Sequence, residues 1–264
     1  MSIYADLYRY RELFANLFRR DLQVRYKGSY LGVFWSLLNP LLLLGIYVLV
    51  FSVLWKAAKI PHYALYVAVG LVVWVFVSTA LTMAARSLVA GAPLVKKVRF
   101  PRQLVPLSSV ATQVVTFAAM LAATIVAVLI VIPDTRKTFL LAIPIAILLV
   151  AVTGGLSLAL ASANVVFRDV EHLVTAALLP WFFLTPVLYS FDQLPGSFQR
   201  EWITKVMYWG NPLTPPLEAL RAPLYLGQAP HGWDVVYLCV EAVLALALGA
   251  WVFRKVDDRI AVEL

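Results

Sequence analysis

The glycines and histidines of this chain offer little of the chemistry expected of an enzyme. None of the 12 glycines is followed by lysine, so the sequence has no glycine-rich loop of the kind that cradles nucleotide phosphates. The three histidines, His62, His172 and His231, lie far apart and form no zinc-binding pair. We therefore expect no catalytic residue, metal or cofactor in this chain. If the activity of this chain depends on ATP and Mg²⁺, a separate polypeptide binds them.

Polar residues inside apolar stretches are also few. Ser157 and Ser162 have no neighbouring histidine base, and with Gly154 and Gly155 they are typical of close helix packing. Glu241 either marks an ion pathway, lies near the outer interface or pairs with a loop arginine. An intramembrane enzyme of glycolipid synthesis would need a cluster of acids and bases. The isolated carboxylates of this sequence disfavour that class.

Aromatic residues are the more informative candidates for a transport path. Sugar rings stack their C–H faces on aromatic rings, so an aromatic wall would let a glycan pass without holding any one unit tightly. Lipid packing and interfacial aromatic belts are the alternative, and they account well for Trp55 and Tyr189. The candidates are Trp35, Tyr47 and Phe51 in the first apolar stretch and Trp181, Phe182 and Phe183 in the fifth.

The elements that must position these residues follow from composition. Hydrophobic residues make up 62% of the 264 residues, charged residues only 14%, and the mean hydropathy is +0.84. A soluble domain carries about 25% charged residues, so the surface of this chain must face lipid. The sequence predicts an all-α integral membrane protein. Six stretches are long enough to cross a bilayer, which takes roughly 17 to 25 residues: 32–55, 63–83, 105–132, 138–163, 173–191 and 234–253.

The basic residues predict the topology of these spans. The formal net charge is +8, but the charges lie in short clusters between apolar stretches, which disfavours a nucleic-acid-binding domain. With a cytoplasmic N-terminus, the inner segments hold fifteen Lys and Arg and the outer segments hold seven. Cytoplasmic loops are enriched in these residues, so we expect both termini in the cytoplasm. The predicted inner segments are 1–31, 84–104, 164–172 and 254–264.

Two segments outside the spans have patterns of their own. In 1–31, polar residues recur at three- and four-residue steps, which predicts an amphipathic helix lying on the membrane; an orientation signal alone is the alternative. Segment 192–233 is rich in proline, and its apolar pieces of about a dozen residues are too short to span. It predicts short re-entrant helices, with an ordinary outer loop as the alternative. We divide the chain into 1–31, an interface helix, and 32–264, a six-span domain.

Four strings in order resemble one known family. They are RRDLQVRYKGSYLGVFWSLLNPLL (19–42), LVKKVRFPRQLVPLS (94–108), NVVFRDVEHLV (164–174) and PVLYSFDQLP (186–195). They are similar to the permease subunits of ABC-2 type polysaccharide exporters, the group that handles lipid-linked O-antigen and wall teichoic acid. The similarity runs from about residue 8 to the C-terminus.

The resemblance implies a function for the whole chain. Members of the group form a homodimer bound to two copies of a separate ATPase. They move an undecaprenyl-diphosphate-linked polymer from the inner to the outer face of the bacterial inner (plasma) membrane. The resemblance does not choose between O-antigen, teichoic acid and another glycan. An ABC-2 exporter of small amphiphilic molecules, such as drugs or antibiotics, is the alternative.

The resemblance also implies roles for particular residues. The N-terminal helix would border a gate for the lipid diphosphate, for which cationic side chains are suited. The gate residues are Arg19, Arg20, Arg25, Tyr26 and Lys27. Segments 94–102 and 167–171 would be coupling helices that meet the ATPase. The coupling residues are Lys96, Lys97, Arg99, Phe100, Arg102, Phe167, Arg168, Asp169 and Glu171. The first and fifth spans would form the pore, which strengthens the assignment of their aromatic residues to the path.

Overall fold

The apolar stretches of this chain form helices. The computed structural model describes residues 5–26, 34–54, 60–97, 100–193 and 200–263, and every regular element in these ranges is helical. The predicted all-α class is therefore confirmed for the described part of the chain. The α-helices are α1 (Ala5–Arg9), α2 (Arg11–Tyr26), α3 (Phe34–Val48), α4 (Tyr63–Ala90), α5 (Ala92–Lys97), α6 (Leu104–Val131), α7 (Ala142–Val166), α8 (Val170–Leu184), α9 (Glu201–Trp209), α10 (Thr214–Arg221) and α11 (Gly232–Glu263).

Among the described residues, four helical segments are long and apolar enough to cross a membrane: Tyr63–Ala90, Leu104–Val131, Phe139–Val166 and Gly232–Asp257. They correspond to the second, third, fourth and sixth of the predicted spans. An α-helix pairs its interior backbone groups within itself, which is what a lipid environment demands.

The first and fifth predicted spans are represented by shorter helices, α3 and α8. Each has 15 residues, or about 22 Å of rise, which is less than the hydrocarbon core of a bilayer. Helix α3 contains Pro40 and continues as a π-helical segment, Leu49–Leu54. Helix α8 contains Pro180 and ends before residues 185–190, which are not helical. The count of six spans therefore stays a prediction.

Helices α7 and α11 approach each other closely at two glycines. A Cβ atom on Gly155 would overlap the backbone of Ala245, and one on Gly249 would overlap the carbonyl oxygen of Gly155. Small residues at such a crossing let two backbones meet in lipid. Gly154 differs, because a Cβ there would meet no atom within 4 Å. Of the two adjacent glycines, the close helix contact therefore occurs at Gly155 and not at Gly154, while the predicted packing residues Ser157 and Ser162 are fully buried in α7.

The core has two parts. The larger centres on α4, which packs against α6 and α7 and is completed by α10 and α11. The smaller lies where α2 covers the beginning of α6, and it includes Leu17, Leu88, Leu104 and Phe253. The N-terminal helix is thereby attached to the bundle through its apolar side.

The described part of the segment before α11 includes two short α-helices, α9 and α10, and the π-helical Ala222–Leu226 follows α10 directly. Helix α9 has nine residues and is largely exposed, with Lys205 Nζ donating to Glu201 Oε1 over 2.6 Å. That hydrogen bond lowers the pKa of Glu201 below its ordinary value. Helix α10 has eight residues and is largely buried against α4, α7 and α11. Neither helix is long enough to cross a bilayer.

Candidate functional site

Polar contacts gather the N-terminal helices, the α5–α6 connection and the last turns of α11 at one end of the bundle, which we call the α2 end. Gln103 Nε2 donates to Asp6 Oδ2 over 2.7 Å, and Ser108 Oγ donates to Asp21 Oδ2 over 3.1 Å. Arg102 donates to the carbonyl oxygen of Asp257 and lies 3.3 Å from its Oδ1. Segments predicted to share the inner side therefore lie at the same end.

A second set of contacts defines the opposite end. The Tyr63 hydroxyl donates to the carbonyl oxygen of Leu188 over 2.9 Å, and Thr138 Oγ1 donates to that of Pro223 over 2.8 Å. The Tyr208 hydroxyl donates to Asp234 Oδ1 over 2.8 Å. These bonds join residues at the predicted outer ends of the spans to one another and to the predicted outer segment 192–233.

The predicted gate residues lie along and beyond α2. Arg19 and Arg20 are exposed on the helix surface, while Leu17 is buried against α6. Arg20 Nε and Nη2 both donate to Asp21 Oδ1, over 3.0 and 2.8 Å. Arg25 and Tyr26 lie in the last turn of α2, with side chains outside the described set, and Lys27 lies outside the described residues.

A cavity of about 460 Å³ opens beside α2, between α2, α4 and α6; we call it the α2 cavity. Its walls are largely apolar, and its cations are Arg20 and Arg86. An apolar wall next to cations suits an amphiphile with a negatively charged headgroup. The sequence indicated Arg20 but not Arg86. The lining residues are Arg20, Asp21, Val24, Met83, Arg86, Ser87, Ala90, Gly91, Val105, Ser109, Thr112 and Gln113.

The first predicted coupling segment is split between surface and core. Lys96 and Lys97 are exposed in the last turn of α5. Phe100 packs against the smaller core cluster, and Arg102 holds the last part of α11 through Asp257. Arg99 lies outside the described residues. Of the described members, the two lysines are those most available to a cytosolic partner.

The second predicted coupling segment protrudes from the same end. Phe167 is 68% exposed although it is a large apolar residue, and Arg168 and Asp169 beside it are exposed as well. Glu171 is turned toward α4, where its Oε1 lies 3.4 Å from Arg86 Nε. An exposed phenylalanine flanked by charges is typical of a protein-binding surface.

Aromatic residues of α3, α4 and α8 form one cluster, which we call the aromatic cluster: Tyr47, Trp74, Trp181, Phe182 and Phe183. The Tyr47 and Phe182 rings stack at 5.8 Å between centroids, and Trp74 lies 5.2 Å from Phe182. Trp181 Nε1 donates to Asn211 Oδ1 over 2.9 Å. The structure thus brings four predicted path residues together; Phe51 packs on the main core, and the side chain of Trp35 is outside the described set.

A buried cation that sequence reasoning missed lies at the opposite end. Arg221, the last residue of α10, is 1% exposed. Its Nη1 donates to Glu218 Oε1 over 2.8 Å, and its Nη2 donates to the carbonyl oxygen of Val187 over 2.9 Å. The available signal was a Glu–Arg pair three residues apart in an apolar, proline-rich segment. Charges in such surroundings are costly and mark sites of special importance.

Glu241 is a further ionisable group inside the bundle. It lies in α11, and its Oε2 atom is buried with no hydrogen-bond partner among the described residues. Within the described residues, no loop arginine forms an ion pair with Glu241. The structure therefore does not support the predicted pairing of Glu241 with a loop arginine.

Comparison with known proteins adds a family and relatives. The family model described as ABC-2 type transporter matches residues 12–225. A protein of Myxococcus xanthus named O-antigen export system permease protein RfbA is 33% identical over 258 residues, which cover 97% of this chain and 96% of the relative. Two proteins of Klebsiella pneumoniae with the same name are each 31% identical over 251 residues, covering 95% of this chain and 94% of the relative.

Proposed function

We propose, from the premise that this chain belongs to the ABC-2 type transporter family, that it is the membrane permease subunit of an ATP-driven polysaccharide exporter. Membership confirms the resemblance drawn from the sequence. The observation that carries the proposal is similarity over nearly the whole length to permeases named for O-antigen export. The substrate would be a polymer linked to undecaprenyl diphosphate, of O-antigen or teichoic acid type.

Energy for transport would come from a separate ATPase subunit, in two copies on a homodimer of this chain. The family match supports an ATPase partner, and the sequence has no phosphate-cradling loop of its own. The surface for the ATPase would be the α2 end. There Lys96, Lys97 and the 167–169 segment are all exposed.

The arrangement in the inner membrane would be six spans with both termini in the cytoplasm. The bias of basic residues supports placing the α2 end inside. Helices α3 and α8 would supply the first and fifth spans, and α9 and α10 would enter the outer leaflet and return. Residues 1–31 would form the interface helix and 32–264 the transmembrane domain.

The lipid diphosphate would enter beside α2. Arg19, Arg20, Arg25, Tyr26 and Lys27 would border the entry, and the α2 cavity offers an apolar wall for the lipid chain. The aromatic cluster would line the glycan path, where Phe183 is exposed on α8 and available for stacking on sugar rings.

The decisive experiment co-expresses this chain with its ATPase subunit in a strain whose own exporter is deleted. Appearance of polymer on the outer face, measured with a polymer-specific antibody on intact cells, supports the proposal. Export that is unchanged after the catalytic glutamate of the ATPase is replaced by glutamine contradicts it. Stimulation of ATP hydrolysis by small amphiphiles and not by lipid-linked glycan would instead favour the small-molecule exporter.

A further inference from the structure

The two arginines of the α2 cavity differ in how firmly they are held. Arg20 makes two short hydrogen bonds to the adjacent Asp21, which also accepts one from Ser108. Arg86 has a single ion pair among the described residues, with Glu171, at 3.4 Å. Ion pairs between partly exposed groups contribute little, and both pairs are of that kind. Arg86 has one contact at 3.4 Å where Arg20 has two, at 3.0 and 2.8 Å, so Arg86 is the cation that changes partner at the smaller cost.

The partner of Arg86 belongs to a different functional surface. Glu171 lies in the first turn of α8, and its backbone N–H donates to Asn164 Oδ1 over 2.9 Å. The residues just before it, Phe167, Arg168 and Asp169, protrude at the α2 end. The Arg86–Glu171 pair therefore connects the wall of the cavity to the segment that would face the ATPase.

A phosphate group would compete well for Arg86. Phosphate accepts two parallel hydrogen bonds from a guanidinium, and charge-assisted bonds of this kind are stronger than the contact that Arg86 makes with Glu171. Val24, Met83 and Val105 supply apolar surface in the same cavity for a lipid chain.

We propose that Arg86 is a switch that pairs with Glu171 when the α2 cavity is empty and binds the phosphate headgroup of a lipid when the cavity is filled, releasing Glu171. In its identification of the ligand as a lipid-linked diphosphate, this inference rests on the proposed function. Release of Glu171 would loosen the beginning of α8, so that lipid entry is sensed at the ATPase-facing segment.

The test measures binding of radiolabelled undecaprenyl diphosphate to the full-length chain in phosphatidylcholine nanodiscs, without any ATPase. Glu171→Gln frees Arg86, so affinity rises at least about threefold. Arg86→Gln removes one charge-assisted interaction and lowers affinity about tenfold. The double variant binds no more tightly than Arg86→Gln alone. The matched control, Arg136→Gln at the opposite end of the bundle, binds as the unmodified chain does.

A second measurement reads the release itself. Amide hydrogen exchange of residues 168–173 increases when undecaprenyl diphosphate is added to the unmodified chain, and does not increase in Arg86→Gln. Unchanged affinity in Glu171→Gln, or a gain that persists in the double variant, overturns the switch.

Excess phosphatidylglycerol separates the two sources of phosphate. If undecaprenyl diphosphate stays bound, the lipid-linked diphosphate is supported as the ligand of the α2 cavity. If phosphatidylglycerol displaces it, that ligand is ruled out and the cavity binds ordinary anionic lipid. The binding assay does not involve transport, so a failure of polymer export would not contradict the Arg86 switch. Unchanged affinity in Glu171→Gln would contradict the switch but not the proposed exporter function.

Discussion

The guanidinium carbon of Arg221 lies 3.6 Å from the centre of the Tyr66 ring, so a buried cation at the end of α10 rests on an aromatic face of α4. The Tyr66 hydroxyl donates to the carbonyl oxygen of Tyr189 over 2.8 Å. Arg221 donates in turn to the carbonyl oxygen of Val187. The two side chains therefore hold the 185–190 connection between them, and Gly70 on α4 leaves the room that the guanidinium occupies.

Replacing Arg221 is expected to be strongly destabilising. Arg221→Met leaves Glu218 without its ion-pair partner and the Val187 carbonyl without a donor, which costs about 3 kcal/mol for a buried pair. Tyr66→Phe keeps the aromatic face and loses one hydrogen bond, at a cost of about 1 kcal/mol. Thermal unfolding in detergent would measure both, with the exposed Arg200→Met as the control. A melting temperature of Arg221→Met equal to that of the control would contradict this account.

The crossing of α7 and α11 gives a matched pair of glycine substitutions. Gly155→Ala places a methyl group into the backbone of Ala245 and is expected to destabilise the bundle by about 1–3 kcal/mol, as overpacking does. Gly154→Ala, one residue away, meets no atom within 4 Å and gains helix propensity. Its melting temperature should equal or exceed that of the unmodified chain. Equal losses in the two variants would refute the close crossing.

A substitution in the aromatic cluster tests whether its residues line the glycan path or only pack the helices together. Phe183 is exposed on α8, so Phe183→Leu should leave the melting temperature unchanged. Polymer export should fall severalfold, because a leucine offers no flat face for sugar rings. Trp251 is also exposed, on α11 away from the cluster, and Trp251→Leu is the control, with export expected to be normal. Equal export by the two variants, measured on intact cells, would remove Phe183 from the path.

The helical class and four of the predicted spans could be predicted because their cause is local. Apolar stretches such as 105–132 become helix wherever lipid forces the backbone to satisfy its own hydrogen bonds, and α6 follows that stretch within a residue. Tight helix packing at Gly155 was predictable from residue size alone. The contrast with Gly154 was not, because helix rotation decides which of two adjacent glycines meets α11.

The candidate site was harder to predict because its contacts are long-range. Arg86 and Glu171 are 85 positions apart, and nothing in the sequence near either one indicates the other. Arg221 has one local partner, Glu218 three residues before it, but its burial against Tyr66 of α4 cannot be read from the proline-rich segment around it. The family resemblance implied a coupling role for the 167–171 segment, while the turn of Glu171 away from Arg168 and Asp169 required coordinates.

The exposed charges of the 167–169 segment allow a test of whether this segment couples ATP hydrolysis to transport. Arg168→Glu or Asp169→Arg reverses a charge on a surface that makes no ion pair within the described chain, so insertion and stability should be unchanged. At the proposed interface with the ATPase, however, the reversal would place like charges opposite each other, and their repulsion would weaken the contact between the subunits. We therefore expect ATP hydrolysis to continue while polymer export falls at least about tenfold, measured side by side in one strain.

The control for that experiment is Lys137→Glu, a charge reversal of equal size at the opposite end of the bundle. It should leave hydrolysis and export unchanged, because the proposed topology places that end away from the cytosolic ATPase. Restored export when a compensating charge is placed on the ATPase would show that the segment acts through direct contact. Normal export by both Arg168→Glu and Asp169→Arg would reduce the segment to a connector between α7 and α8.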